Sequence, residues 1–268
     1  MRHSKLTPLE VYRITPQSNC GQCRLPSCLA FSAAVVAGNK KLQDCPHLSP
    51  TIIQPLQATL TKTTEQPALQ AAFLDKLKQK TSGLNFQHIA PILGCELQQD
   101  HLNIISLGKT FKVGQNGTIS SECHIIPWVE APILSYITHK THRPISGNWI
   151  SFRELQGGID WQGLFSSRCE QPLCTLADRN PELLADLIDL FWGQETDTKK
   201  YDADIGLILH PLPHIPILIC YQKSDADLDS SLIILFDECC GQNLHIKSLY
   251  TLCAGLVKMF EQIALRHG

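Results

Sequence analysis

Four cysteines fall within residues 20 to 45, in the order Cys20, Cys23, Cys28, Cys45 with Pro46 directly after, although the 268-residue chain holds only 12 in all. A CxxCxxxxC run brings three sulfurs into one loop, and the fourth arrives after a helix-sized excursion. Thiolate is the ligand that iron-sulfur clusters take, so the spacing reads as a 4Fe-4S site. Gly21 lets the chain turn tightly around a bulky core, and Pro26 delays any helix until Cys28. From Ser27, a good N-cap, a helix is expected to run to a stop at Gly38. Its free N–H groups and positive dipole end would then face the cluster sulfides. That helix, rising ~1.5 Å per residue, carries the chain away. The six residues Asn39 to Asp44, extended at ~3.3 Å each, can just return Cys45 to the site.

Zinc, disulfides and plain core packing are the rivals for these four thiols. Structural zinc also accepts four thiolates, but usually as two CxxC-like knuckles across a longer loop, which this asymmetric pattern fits less well. Disulfides need an oxidising compartment, and the start Met-Arg-His-Ser-Lys-Leu-Thr-Pro carries no apolar signal core. Four unrelated buried cysteines would leave their crowding, and the Gly, Pro and Cys-Pro punctuation around them, without a cause.

Residues 7 to 48, from Thr7-Pro8-Leu9-Glu10 through Cys20-Gly-Gln-Cys23-Arg-Leu-Pro-Ser-Cys28 to Asp44-Cys45-Pro46, resemble the small 4Fe-4S domain that opens the corrinoid iron-sulfur protein large subunit. They are similar also to a module in the B subunit of the Rnf electron-transport complex. The resemblance implies cluster ligands at Cys20, Cys23, Cys28 and Cys45 and one-electron transfer at low potential. Arg24 departs from it, because those families more often have Gly there. The redox partners it implies are a ferredoxin-like donor and a metalloenzyme or corrinoid acceptor, such as a cobalt corrinoid awaiting reductive reactivation. The barrel and cobalamin domains of the corrinoid family are not recognisable in the rest of the chain.

The remainder is long enough for a sizeable core, and 43% hydrophobic content supports one. No apolar run approaches the ~18 residues of a membrane span, so a cytoplasmic protein is expected. A formal charge of −2 gives no general attraction to nucleic acid, and the pairs Lys40-Lys41 and Lys199-Lys200 are too short to form a basic patch. Prolines 50, 55 and 67 mark residues 48 to 66 as a connecting segment, followed by a short helix over Ala68 to Lys80 with Leu69, Ala72, Phe73 and Leu77 on a docking face. A β-meander is expected from Leu102 to Ile119 around the Asn116-Gly117 turn. Helices follow over Trp128 to His139 and Pro181 to Trp192, the second capped by Asn180. Three apolar strands start at Asp204, Ile215 and Ser231, and a helix over Ile246 to Leu265 covers them.

The expected fold class is therefore α+β. A small helical cluster domain (1–48) precedes a linker and docking helix (49–84) and a larger domain (85–268) with a mainly antiparallel or mixed sheet under helices. Within it, Trp149-Ile-Ser-Phe-Arg-Glu-Leu-Gln-Gly-Gly, Leu212-Pro-His-Ile-Pro-Ile and Ile233-Ile-Leu-Phe-Asp resemble an uncharacterised domain of anaerobic bacteria and archaea, often joined to the iron-sulfur module. The resemblance spans residues 85 to 265 and brings no known reaction.

Motifs for phosphate loops, dinucleotide folds, serine hydrolases or zinc proteases are missing, so electron transfer is favoured over a stand-alone enzyme. The alternative is a non-redox binding or regulatory module in which the cluster is a structural or sensing element. Gly157-Gly158 reads as a tight turn, and Arg153-Glu154 as a solvated pair. Cys169, Cys174, Cys239 and Cys240 would form a second metal site if the fold gathers them, or else fill the core as small hydrophobes. His139 and His142 are taken as surface residues, and His210 and His214 as flanking a turn.

Overall fold

Thr7-Pro8-Leu9-Glu10 starts the first helix of the protein by local chemistry alone. Its computed structural model describes residues 7–36, 39–180, 182–225 and 228–267, with the backbone path alone at 54–68, 127, 266 and 267. The chain divides into two units, Met1–Asp75 and Lys76–Gly268.

In the first unit, the Thr7 hydroxyl accepts from the Glu10 N–H at 3.2 Å and the Glu10 carboxylate accepts from the Thr7 N–H at 2.7 Å, a reciprocal cap that opens α1 (Pro8–Ile14). After the cysteine loop, α2 (Cys28–Val36) begins at Ser27, whose hydroxyl accepts from the Ala30 N–H. The expected stop at Gly38 lies outside the described residues. The return to Cys45 is not extended: Leu42–Asp44 form a 3₁₀ turn, because the Asp44 carboxylate accepts from the Lys41 N–H at 3.0 Å and tightens the chain there. Val11 and Phe31 meet Val35, Leu42, Leu48 and Ile53 in a small core that also contains Cys23 and Cys45.

Helix α3 (Pro50–Ser82) runs through the whole stretch in which the sequence suggests a connecting segment and a shorter helix. Pro50 occupies its first turn, where a missing N–H costs nothing. Of the expected apolar face, Leu69 is 66% and Phe73 47% exposed, while Leu77 is buried.

In the second unit, α4 (Phe86–Ile89) leads to a four-stranded antiparallel meander of β1 (Glu96–Gln98), β2 (His101–Ser106), β3 (Lys109–Gly114) and β4 (Ile119–Ser120). Helix α5 (Pro127–Ile137) follows, then β5 (Trp149–Ser151), α6 (Gln162–Phe165), a π-helical turn over Ser166–Glu170, α7 (Gln171–Arg179) and α8 (Leu183–Phe191). Asn180 caps the C-terminus of α7 rather than opening α8, because its N–H bonds back to the Leu176 carbonyl; Pro181 lies outside the described residues. The last elements are β6 (Gln194–Glu195), β7 (Ile205–Leu212), β8 (Ile215–Gln222), β9 (Ser231–Asp237), α9 (Cys240–Asn243) and α10 (Ile246–His267).

The second sheet has strand order β5-β9-β8-β7-β6, antiparallel throughout. Its central strand β8 is buried along almost its whole length, as the uninterrupted apolar run Ile-Pro-Ile-Leu-Ile-Cys-Tyr requires. On one face, Phe236 of β9 meets Phe152 and Phe165, which stack on each other at 4.0 Å. Helix α10 packs on α5 and α7. The Leu107 N–H donates to the His210 carbonyl at 3.0 Å and so fastens the meander to β7. Among the described residues no helix is long and apolar enough to cross a membrane.

Candidate metal centre

The cysteine loop owes its shape to a series of left-handed backbone positions: Gln17, Asn19, Gly21 and Arg24 all have φ between 49° and 70°. Gly21 takes that conformation without strain, whereas Arg24, at φ 62°, sits where a Cβ is unfavourable. The Arg24 N–H donates to the Gly21 carbonyl at 2.8 Å and closes the turn. The Asn19 side chain accepts from the Cys28 N–H at 2.8 Å, pinning the loop to the first residue of α2. Because Asn19 and Ser27 accept from the Cys28 and Ala30 N–H groups, those donors are not left free toward the cysteines, contrary to expectation.

Cys20, Cys23, Cys28 and Cys45 all line one narrow recess, together with Phe31 and His47. Cys23, Cys28 and Cys45 are buried and Cys20 is exposed; none is in a disulfide. The Gln22 N–H and the Ser18 hydroxyl donate to the Cys20 sulfur and hold its thiol below the usual value. Four free thiols on one recess, with donors aimed at one of them, are a donor set that fits an iron-sulfur group.

The remaining cysteines are placed differently. Cys169 lies in the core on the π-helical turn, and burial pushes its thiol up to about 12. Cys174 faces the Ser230 hydroxyl at 3.6 Å. Cys239 donates to the His214 carbonyl at 3.6 Å and Cys240 to the Pro216 carbonyl at 3.5 Å. Burial raises Cys240 and Cys253 as well, and these two pack as small hydrophobes. Among the described residues, the four thiols of the recess included, no three Cys, His, Asp or Glu side chains converge on a single metal ion; an iron-sulfur cluster does not ask for that, because it takes its thiolates on separate irons.

Gly157-Gly158 is a tight turn, since a Cβ at Gly158 would overlap the Phe152 carbonyl, and the Glu154 carboxylate caps Ser151. His142 is not a surface residue: its ring packs edge-on to Tyr136 at 4.8 Å with both nitrogens buried and unpartnered. Sequence reasoning misses two buried polar clasps. The Asp237 carboxylate accepts from the Ser146 and Gly147 N–H groups at 3.0 and 2.6 Å and from the Cys239 N–H at 2.9 Å. Burial raises its pKa, but these hydrogen bonds outweigh it and hold the carboxyl below its ordinary range. Asn243 exchanges hydrogen bonds with both backbone groups of Arg143 and donates to the His214 carbonyl at 3.0 Å. No local signal marks either, since their partners lie about a hundred positions away at 143 and 147.

Known proteins resemble two separate parts of the chain. Residues 16–47 match a family described as "Putative Fe-S cluster", so the module that gathers the four thiols is of iron-sulfur type. The corrinoid/iron-sulfur protein large subunit of Moorella thermoacetica is 42% identical over 53 residues, covering 20% of this chain and 12% of that protein. The acetyl-CoA decarbonylase/synthase complex subunit gamma of Methanothermobacter thermautotrophicus is 36% identical over 62 residues, 23% of this chain and 14% of that protein. Subunit gamma 2 of the same complex in Methanosarcina mazei is 45% identical over 42 residues, 16% of this chain and 9% of that protein. The chain therefore spans about an eighth of the length of these relatives. No solved structure matches. Residues 85–259 match a family described as a domain of unknown function. By that match over more than half of its length, the chain belongs to the DUF3786 family, with an iron-sulfur module preceding the family domain.

Proposed function

We propose that Cys20, Cys23, Cys28 and Cys45 hold one 4Fe-4S cluster and that the protein passes single electrons at low potential to a partner protein or a bound cofactor. The observation that carries this reading is that four free thiols spread over residues 20 to 45 line one recess. When bound, the cluster supplies a one-electron couple. The protein's own residues set its conditions. The Gln22 N–H and Ser18 hydroxyl stabilise negative charge on the Cys20 sulfur. Phe31 and the buried Cys23, Cys28 and Cys45 keep water from one side, while exposed Cys20 leaves an edge at which a partner can approach. A ferredoxin-like protein is the proposed donor. The relatives named for corrinoid and acetyl-CoA chemistry support a metalloenzyme or a cobalt corrinoid as acceptor. A cluster held by four thiolates fits a reducing compartment, so the cytoplasm is the proposed location.

One observation favours a second reading, in which the cluster is a structural or sensing staple. The core of the first unit is small, and two of its buried members are Cys23 and Cys45 themselves. Oxygen-free purification tests both. We expect equal iron and sulfide, about four of each per chain, lost in Cys28→Ser and Cys45→Ser and retained in Cys174→Ser and Cys239→Ser. Reversible one-electron reduction with exchange to a ferredoxin supports transfer, and a redox-silent cluster supports the staple. A colourless, iron-free protein sinks both.

A further inference from the structure

The second unit contains a cavity of about 380 Å³ bounded by the β2–β3 hairpin, α5 and α10. Its floor is made by Leu107, Phe111, Ile133, Leu212, Leu252 and Leu256, all buried. Trp128 and Met259 form half-buried walls. At the rim stand Lys109, His124, Lys258 and Gln262, all exposed. No lining residue is acidic, and among the described residues neither lysine pairs with a carboxylate. On a chain whose formal charge is −2, two ammonium groups at the mouth of an apolar hollow with no acidic residue in its lining favour an anionic ligand.

An apolar cavity of a few hundred Å³ with a few convergent polar groups is the usual form of a small-molecule site. Here the polar groups carry one sign. The floor rewards burial of hydrocarbon, and the two ammonium groups attract an anion held at the water boundary. At about 30 Å³ for each non-hydrogen atom, the share of a water in the liquid, the hollow holds roughly a dozen such atoms. We infer that this cavity binds a single-tailed amphipathic carboxylate, with its hydrocarbon on the leucine and phenylalanine floor and its carboxylate between Lys109 and Lys258. The site lies in the domain of unknown function and does not depend on the iron-sulfur reading.

Dodecanoate, below its micelle-forming concentration, is the probe. Titrated into the full-length protein, it is expected to bind saturably at one per chain, to change the Trp128 contribution to fluorescence, and to protect Cys123, which lines the cavity, from alkylation. Peptide mass spectrometry reads that protection at Cys123 alone. Dodecanoate should bind at least about tenfold tighter than dodecyltrimethylammonium. Lys109→Glu with Lys258→Glu, two exposed positions, should weaken dodecanoate on the order of tenfold and leave dodecanol unchanged. Leu256→Trp fills the floor and should abolish binding of all three. Absence of saturable dodecanoate binding, a preference for the cation, or indifference to the double charge reversal would each overturn the inference. So would association with phosphatidylglycerol vesicles without binding of monomeric dodecanoate, which would indicate a membrane surface instead.

Discussion

His142 shows how much a single side chain can owe to its surroundings. Burial, and then the charges of His139 and His214, lower its pKa to about 4. An unfolded histidine titrates near 6.5, so between those two values the unfolded chain binds a proton that the native chain refuses. Stability contributed by the neutral ring is complete above about pH 6.5 and is lost as pH falls toward 4. Urea midpoints measured between pH 7 and pH 4 should therefore fall across this window, and His142→Phe should flatten part of the slope. His139, His210 and His214, which burial also lowers, contribute in the same direction. Asp237 acts at the acid end, where protonation of its carboxylate releases the bonds from Ser146, Gly147 and Cys239. The same principle runs through the cysteines. Burial raises Cys169, Cys220, Cys240 and Cys253, while Cys20, exposed and hydrogen-bonded, is tuned the other way.

At the scale of elements, the fit of α10 against α5 turns on one small residue. Gly255 lies beneath the Trp128 indole, and an added Cβ would overlap the ring. Gly255→Ala should therefore displace Trp128 and destabilise the protein by about 1–3 kcal/mol, as overpacked cores do, a change that chemical denaturation can read. The elements with strong local signals are legible in the sequence. The strand over residues 231–237 and the start of the last helix at Ile246 fall where the apolar patterns put them. Helix α1 escapes a reading centred on the cysteines, although Thr7, Pro8 and Glu10 announce it. The helical stretch from Gln162 to Arg179 escapes too. There Phe165, Cys169, Leu173 and Ala177 repeat at a four-residue spacing and are all buried, but the surrounding polar residues and Pro172 obscure the stripe. In α3 the prolines argue for a connection, and the helix continues through them.

For the whole molecule, the two units differ in what holds them. The second has a broad core around β8 and α10, whereas the first rests on a few side chains and on cysteines that line the recess. Removing iron with a chelator under reducing conditions should raise amide hydrogen exchange across residues 7 to 53 and leave β7, β8 and β9 protected, as mass spectrometry can resolve. The candidate ligands are visible as a pattern because a loop-borne cluster takes several of its sulfurs from one short stretch of chain, here Cys20, Cys23 and Cys28. The same is true of caps, turns and apolar periodicity, which act within a turn or two of chain. The carboxylate cavity, the Asp237 clasp and the buried His142 leave no such trace. The cavity and the clasp draw on positions as far apart as Leu107 and Leu256, or Ser146 and Asp237, which only the packing of helices around the hairpin and the pairing of β5 with β9 bring together.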